Sequence, residues 1–221
     1  MAAAYLVGSV PFGYLLSRRR LRRDLRRTDV RTLLAGRHST GRPDDVVAAV
    51  LDTAKVLLAA TAAWHLVKDA SPGFDRDVLP DVSAVGFLAD QVLTSWQSIA
   101  LWTGLAAVVA HLAPPWLGFR GGQGQAPALG LAFVYCPTGF SAGVAAFFAS
   151  LVVLGDLSRS VLVSLLAFMG YAWLAWVFDW RTSWGATNGP ELALWATVLS
   201  GVVAARTLTL TGPPPPVAGT Q

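Results

Sequence analysis

An α-helix needs about 20 mostly apolar residues to cross about 30 Å of hydrocarbon, and this chain of 221 residues supplies runs of that length repeatedly. The clearest cover 2–17, 46–67, 98–116, 161–178 and 191–210. A further run, 126–155, is long for one helix and short for two. Pro137, followed by Thr138 and Gly139, gives it a natural break, because proline lacks the backbone donor and its ring collides with the preceding turn. With 54% apolar residues, 14% charged ones and a mean hydropathy of +0.51, the composition lies far from a soluble domain's mixture. The runs predict an all-α, polytopic integral membrane helix bundle of about seven transmembrane helices, a single membrane domain over 1–212. Residues 213–221 begin with Pro213 to Pro216 in succession, which cannot be helical, and are expected to form a short disordered tail.

Ten of the 17 basic residues lie between Arg18 and Arg42, so the net charge of +4 comes from one local block rather than from a basic surface. The block sits between two hydrophobic segments, which points to a cytoplasmic loop facing membrane lipids and not to nucleic acid as a partner. Within it, 18–31 holds eight arginines against Asp24 and Asp29, so residues 18–44 are expected inside and the N-terminus outside. The next loop, Lys68 to Asp81, has two basic and four acidic residues and suits the outer side; the segment around Arg120 then returns to the cytoplasm. If 126–155 is two helices, Arg159 and Arg206 also reach the cytoplasmic side, whereas a single helix would put both outside. Met1 to Ser17 has no preceding positive region and no small-residue cleavage site, so it reads as the first membrane helix rather than a removable signal. Cys136, the one cysteine, lies in an apolar stretch and offers neither a disulfide framework nor a thiol zinc site. No metal and no cofactor are expected.

Three places carry polar or bending residues where a span should be bland. The first run contains GSVPFG at 8–13, which reads either as a small-residue packing face with a proline kink or as a bend that opens a cavity. The second contains Asp52 and Lys55, three residues apart and hence on one face; ionisable groups in a span are costly unless they pair or face water, so they are either a functional pair or a structural ion pair. The third is Ala110 to Ala126, AHLAPPWLGFRGGQGQA. His111 stands near the end of a membrane helix, Pro114 and Pro115 end that helix, and Arg120 precedes glycines 121, 122 and 124. Glycines let the backbone bend back and present consecutive amide N–H groups, and arginine adds a fixed positive fork, so the segment is a plausible phosphate cradle formed by Arg120, Gly121, Gly122 and Gly124. It lacks the lysine and hydroxyl of an ATP-type loop, and a tight turn at the membrane surface is the competing reading.

The whole segment closely resembles the glycine-rich cytoplasmic motif of the bacterial acyl-phosphate:glycerol-3-phosphate acyltransferase family (PlsY type), whose pattern runs GHxFPxFLxFKGGKGVA. His111, Pro114, Leu117, Phe119, Gly121, Gly122, Gly124 and Ala126 agree with it. Arg120 replaces a lysine, Trp116 the second phenylalanine, and Gln123 the second lysine. GSVPFGYLL at 8–16 is similar to the family's first-helix GSIPFGYLL, and Asp52, Thr53, Ala54 and Lys55 resemble its DxxKG with Val56 in place of the glycine. The resemblance implies seven helices, an outer N-terminus, a place in a bacterial-type cell membrane, and acyl transfer in phospholipid biosynthesis. The 1-hydroxyl of glycerol 3-phosphate would attack the carbonyl of an acyl phosphate, with His111 as base or phosphate ligand.

Two family motifs are reduced. The first cytoplasmic loop of the family, GSGNxGATNvlRtlG, survives only as Thr28 to Leu33, with one residue fewer between Asp29 and Arg31; the resemblance implies phosphate binding by Arg31, and the glycine-rich half has become arginine-rich. The final motif, HxxNxxRLLxGxE, aligned on Gly212, finds Val202, Ala205, Leu208 and Pro214 at its polar positions. Two readings therefore stay open for a divergent member: an active acyltransferase, or a catalytically inactive relative that binds a phosphate-bearing lipid or a partner. A small transporter using Asp52, Lys55 and His65 as a polar path is a third, and it lacks the paired broken helices such folds show.

Overall fold

The computed structural model describes residues 2–10, 12, 43–70, 95–119, 121–180 and 190–211. The expected cytoplasmic loop with Arg31, the side chain of Arg120 and the tail 213–221 lie outside them. Among the described residues all regular structure is helical: α1 (Ala2–Gly8), α2 (Pro43–Ala70), α3 (Ser95–Leu112), a 3-10 turn (Pro115–Leu117), α4 (Gln125–Tyr135), α5 (Pro137–Leu154), α6 (Leu157–Val177) and α7 (Pro190–Thr211). Five of them, α2, α3, α5, α6 and α7, are long and apolar enough to cross a membrane. The 126–155 run is indeed broken at Cys136, which has φ −145° and ψ 66°, and Pro137 occupies the first turn of α5, where its missing N–H has no partner to lose. At 11 residues, α4 rises only about 16 Å, half the hydrocarbon thickness.

α3 is the central element, packed against α1, α2, α4 and α7, while α5 and α6 form a hairpin joined to it through α4 and α7. Lipid tails give no hydrophobic drive for helices to associate, so close backbone approach must supply it. Gly8 provides one such approach: a Cβ there would sit 2.4 Å from the Ala107 carbonyl oxygen. Gly130 provides another, since a Cβ would meet the Thr53 side chain at 2.3 Å. At the centre lies Trp195, fully buried, edge-on to Tyr135 and Phe168 with centroids 6.3 Å away in each case. Its indole Nε1 donates to the Leu101 carbonyl at 3.0 Å, which ties α7 to α3. Farther along the same pair, Glu191 accepts from Trp102 Nε1 at 2.8 Å and from Ser98 Oγ. Leu58, Leu66, Val152, Val153, Leu157 and Val177 face outward and exposed, as lipid-covered side chains would.

The alternation of directions gathers one end of the bundle. The C-terminal ends of α3 and α7 and the N-terminal end of α4 meet there, because Arg206 of α7 bonds to the loop between α3 and α4. A split 126–155 run requires that arrangement.

Gly8→Val is expected to destabilise the fold by ~1–3 kcal/mol, because the side chain must enter backbone space. Gly201→Ala should be neutral or stabilising by up to about 1 kcal/mol, since nothing lies within 4 Å of the added carbon. Melting midpoints in one detergent check the pair, and equal losses for both variants would contradict the packing.

Candidate functional site

Asp52 and Lys55 sit near the middle of a span yet are only 7% and 5% exposed, turned into the bundle. Lys55 Nζ lies 2.7 Å from Asp52 Oδ1, donates to the Val10 carbonyl and lies 3.2 Å from His111 Nδ1. The ammonium donates to the Val10 carbonyl, has His111 Nδ1 within hydrogen-bond reach and is ion-paired with Asp52 Oδ1, which has no aligned hydrogen bond; the Phe12 ring, 5.5 Å from Nζ, covers the cation further. Such pairing is required, because an unpaired charge in hydrocarbon costs about 3 kcal/mol or more. The Val10 carbonyl is available because α1 ends at Gly8, within the GSVPFG stretch. His65, by contrast, is exposed and ten residues beyond Lys55, about 15 Å along the helix, so these three residues form no continuous polar path.

His111, in the last turn of α3, connects this pair to the glycine loop. Its Nδ1 is 3.2 Å from Lys55 Nζ but 3.6 Å from Asp52 Oδ1, and the longer distance is not a hydrogen bond. Since an ammonium can only donate, Nδ1 is the acceptor, and in the neutral ring the proton then resides on Nε2. Nε2 abuts the loop: a Cβ on Gly122 would lie 2.7 Å from it. The chain folds back through Pro114 and Pro115. Phe119 N–H and Leu117 N–H donate to the Pro114 carbonyl at 3.0 and 3.2 Å, with Gly118 and Phe119 at φ 59° and 62°. α1 braces the turn, as Tyr5 Oη donates to the Ala113 carbonyl at 2.8 Å, Trp116 Nε1 donates to Ser9 Oγ at 2.6 Å, and Ser9 Oγ donates to the Leu6 carbonyl at 2.7 Å.

The loop itself differs from the sequence expectation in one respect. Gly121 N–H donates to the Leu112 carbonyl at 3.0 Å, so it closes the loop on α3 and is not a donor for a ligand. Gly121 and Gly122 are needed for closeness rather than for left-handed backbone: a Cβ on Gly121 would strike the His111 carbonyl oxygen at 2.1 Å. Of the three loop glycines, Gly124 alone has positive φ, 74°, and it opens α4 without a side-chain cap. The first N–H groups of a helix lack intrahelical partners and attract anions, and Pro127 in the first turn removes one of them. His111 Nε2, the backbone after Gly121 and the start of α4 thus share one corner.

Arg206 is the residue that motif matching passed over. Its Nη2 donates to the Gly121 carbonyl at 2.6 Å and its Nε to the Gly122 carbonyl at 3.3 Å. A signal was present in the sequence, since a charge within an apolar run is a functional candidate by default. From the same corner, starting at Gln125, an apolar cavity of about 310 Å³ runs between α4, α5, α6 and α7, walled by Phe140, Gly143, Phe147, Phe168 and Val203 among others. Among the described residues no three His, Cys, Asp or Glu side chains group as a metal site would.

Comparison with known proteins places this arrangement. The fold resembles that of PlsY, an integral membrane glycerol 3-phosphate acyltransferase solved in its glycerol 3-phosphate form, with a TM-score of 0.58, 19% identity, and coverage of 93% of this chain and 84% of that one. The glycerol-3-phosphate acyltransferase of Anaeromyxobacter dehalogenans (strain 2CP-C) is 32% identical over 154 residues, which are 66% of this chain and 63% of the relative, so the match spans less than two thirds of that protein's length. The glycerol-3-phosphate acyltransferase of Erythrobacter litoralis is 33% identical over 178 residues, 79% of this chain and 73% of the relative. A family profile described as glycerol-3-phosphate acyltransferase matches residues 1–209, and the chain therefore belongs to the glycerol-3-phosphate acyltransferase family.

Proposed function

We propose that the chain transfers an acyl group from an acyl phosphate to the 1-hydroxyl of glycerol 3-phosphate at the cytoplasmic face of a bacterial-type cell membrane. The hydroxyl oxygen bonds to the acyl carbon, the bond from that carbon to the phosphate oxygen breaks, and the hydroxyl proton leaves with inorganic phosphate, giving lysophosphatidate. The observation that carries this reading is the array of Lys55, His111 and Gly122. A buried ammonium fixes the imidazole so that Nε2–H faces the glycine loop, where it stabilises negative charge on the leaving phosphate or the carbonyl oxygen. His111 is thereby a donor, the phosphate-ligand alternative of the two roles expected for it, rather than a base. Arg120 and the amide donors after Gly121 bind the acyl phosphate, Arg31 contributes to glycerol phosphate binding, and the cavity beginning at Gln125 takes the alkyl tail. No cofactor takes part. The N-terminus lies outside and residues 18–44 lie in the cytoplasm.

His111→Ala is expected to lower turnover by about 10²–10³, the cost of removing one preorganised donor, whereas His111→Gln, which keeps an N–H near the Nε2 position, should recover much of the loss. A base role predicts equal loss in both. Phosphate release from palmitoyl phosphate plus glycerol 3-phosphate, measured on protein in nanodiscs, distinguishes them, and a wild-type protein that makes no lysophosphatidate would overturn the acyl-transfer reading.

Arg120→Ala should weaken acyl phosphate binding by roughly ten- to a hundredfold, the worth of a charge-assisted hydrogen bond, and Arg120→Lys should retain more of it. Calorimetry on the same preparation checks this; equal affinities would remove Arg120 from the cradle.

For orientation, a Leu25→Cys variant on a Cys136→Ala background is expected to resist impermeant maleimide in intact cells and to react after permeabilisation. Labelling from outside would reverse the topology.

A further inference from the structure

We infer that Arg206 is a positioning residue whose guanidinium fixes two successive peptide planes of the glycine loop and thereby aims the Gly122 amide N–H at the substrate phosphate. The geometry is direct. Nη2 holds the Gly121 carbonyl at 2.6 Å and Nε the Gly122 carbonyl at 3.3 Å. No peptide bond in the described chain is cis, and in a trans peptide the C=O and the following N–H point in opposite directions. Fixing those two carbonyls toward α7 therefore turns the next two N–H groups away from it.

Glycine backbones have no side chain to hold a peptide plane, and without such a restraint the plane rotates readily. The loop is tethered at its start, by Gly121 N–H on the Leu112 carbonyl at 3.0 Å, and at its end, where Gly124 opens α4. Between those points Arg206 supplies the restraint. The planar guanidinium offers several donors at fixed angles and keeps its charge, so it can hold both carbonyls at once. Drawing carbonyl electron density toward a cation also polarises the attached N–H groups, strengthening them as donors.

The inference deepens the acyl-transfer reading and rests on it only for its kinetic arm. The first measurement needs no turnover: hydrogen exchange of loop amides in nanodiscs saturated with inorganic phosphate. With phosphate accepting from it, the Gly122 amide should exchange about tenfold faster in Arg206→Gln than in the wild type, the scale of one lost charged hydrogen bond. The second is kinetic. Arg206→Gln should raise KM for acyl phosphate, and Ki for inorganic phosphate as competitor, by about tenfold, with a smaller change in kcat. Trp195→Phe, which loosens α7 without touching the loop, should lower the melting midpoint and leave KM and Ki unchanged. Wild-type exchange and wild-type KM in Arg206→Gln would overturn the inference, as would an equal rise in KM for Trp195→Phe. If Arg206→Gln does not fold, Arg206→Lys serves instead, with a severalfold rise expected in both exchange and KM, and wild-type values in both overturn the inference. A wild-type protein without acyl transfer would defeat the reaction proposed above, while exchange, together with phosphate protection of the loop, would still decide the role of Arg206.

Discussion

The site depends on one buried ammonium. In hydrocarbon a lysine persists only if its charge is compensated, and Lys55 achieves that by drawing on three parts of the chain: the Asp52 carboxylate one turn earlier as ion-pair partner, the Val10 carbonyl where α1 has ended, and His111 at the end of α3. Meeting the electrostatic demand of a single residue thus fixes how α1, α2 and α3 meet. The same contact sets the imidazole's orientation. A histidine that accepts through Nδ1 presents its proton at Nε2, and Nε2 faces Gly122. Stability and chemistry are coupled here, because any change that frees the ammonium from His111 also frees the ring to rotate.

Steric demands converge on the same corner. Gly121 lies so near the end of α3 that a side chain there would enter backbone, and one at Gly122 would displace the His111 ring; the turn through Pro114 and Pro115 returns the backbone onto the helix it has just left. α1 reinforces that turn by two side-chain hydrogen bonds, from Tyr5 and through Ser9. Exposed Trp116 and Phe119 beside it are the amphipathic and apolar rings that settle at a membrane surface. The polar corner thereby adjoins the apolar cavity that begins at Gln125.

Much of this was legible in the chain because membrane physics leaves few options. Run length gave the five long helices, whereas in the first run, 2–17, the helix α1 ends at Gly8, and Pro137 gave the break between α4 and α5 that sends Arg206 to the same end as the glycine loop. The i to i+3 spacing put Asp52 and Lys55 on one face. Sequence could not show that His111 would join them, since that contact spans 56 residues and depends on a helix crossing. Nor could it show that Gly121 would spend its N–H on Leu112, because a glycine required for closeness and a glycine required for an anion cradle read alike. Five helices are long and apolar enough to cross a membrane, while α4, at 11 residues, is an element that a window of about 20 residues is not built to find.

The final family motif illustrates why a helix must be compared by face rather than by count. Aligned on Gly212, its polar positions fall on Val202, Ala205 and Leu208, and two of these point the wrong way: Ala205 is exposed and Leu208 is 56% exposed, on the side of α7 that meets lipid. A polar group there could not reach the glycine loop. The inward face of α7 runs through Leu199, Val203 and Thr207, all buried, and Arg206 lies at the edge of that face, next to Thr207. From there its long side chain reaches the Gly121 and Gly122 carbonyls. In this chain one arginine, at a register to which motif counting assigns no role, supports the loop from α7.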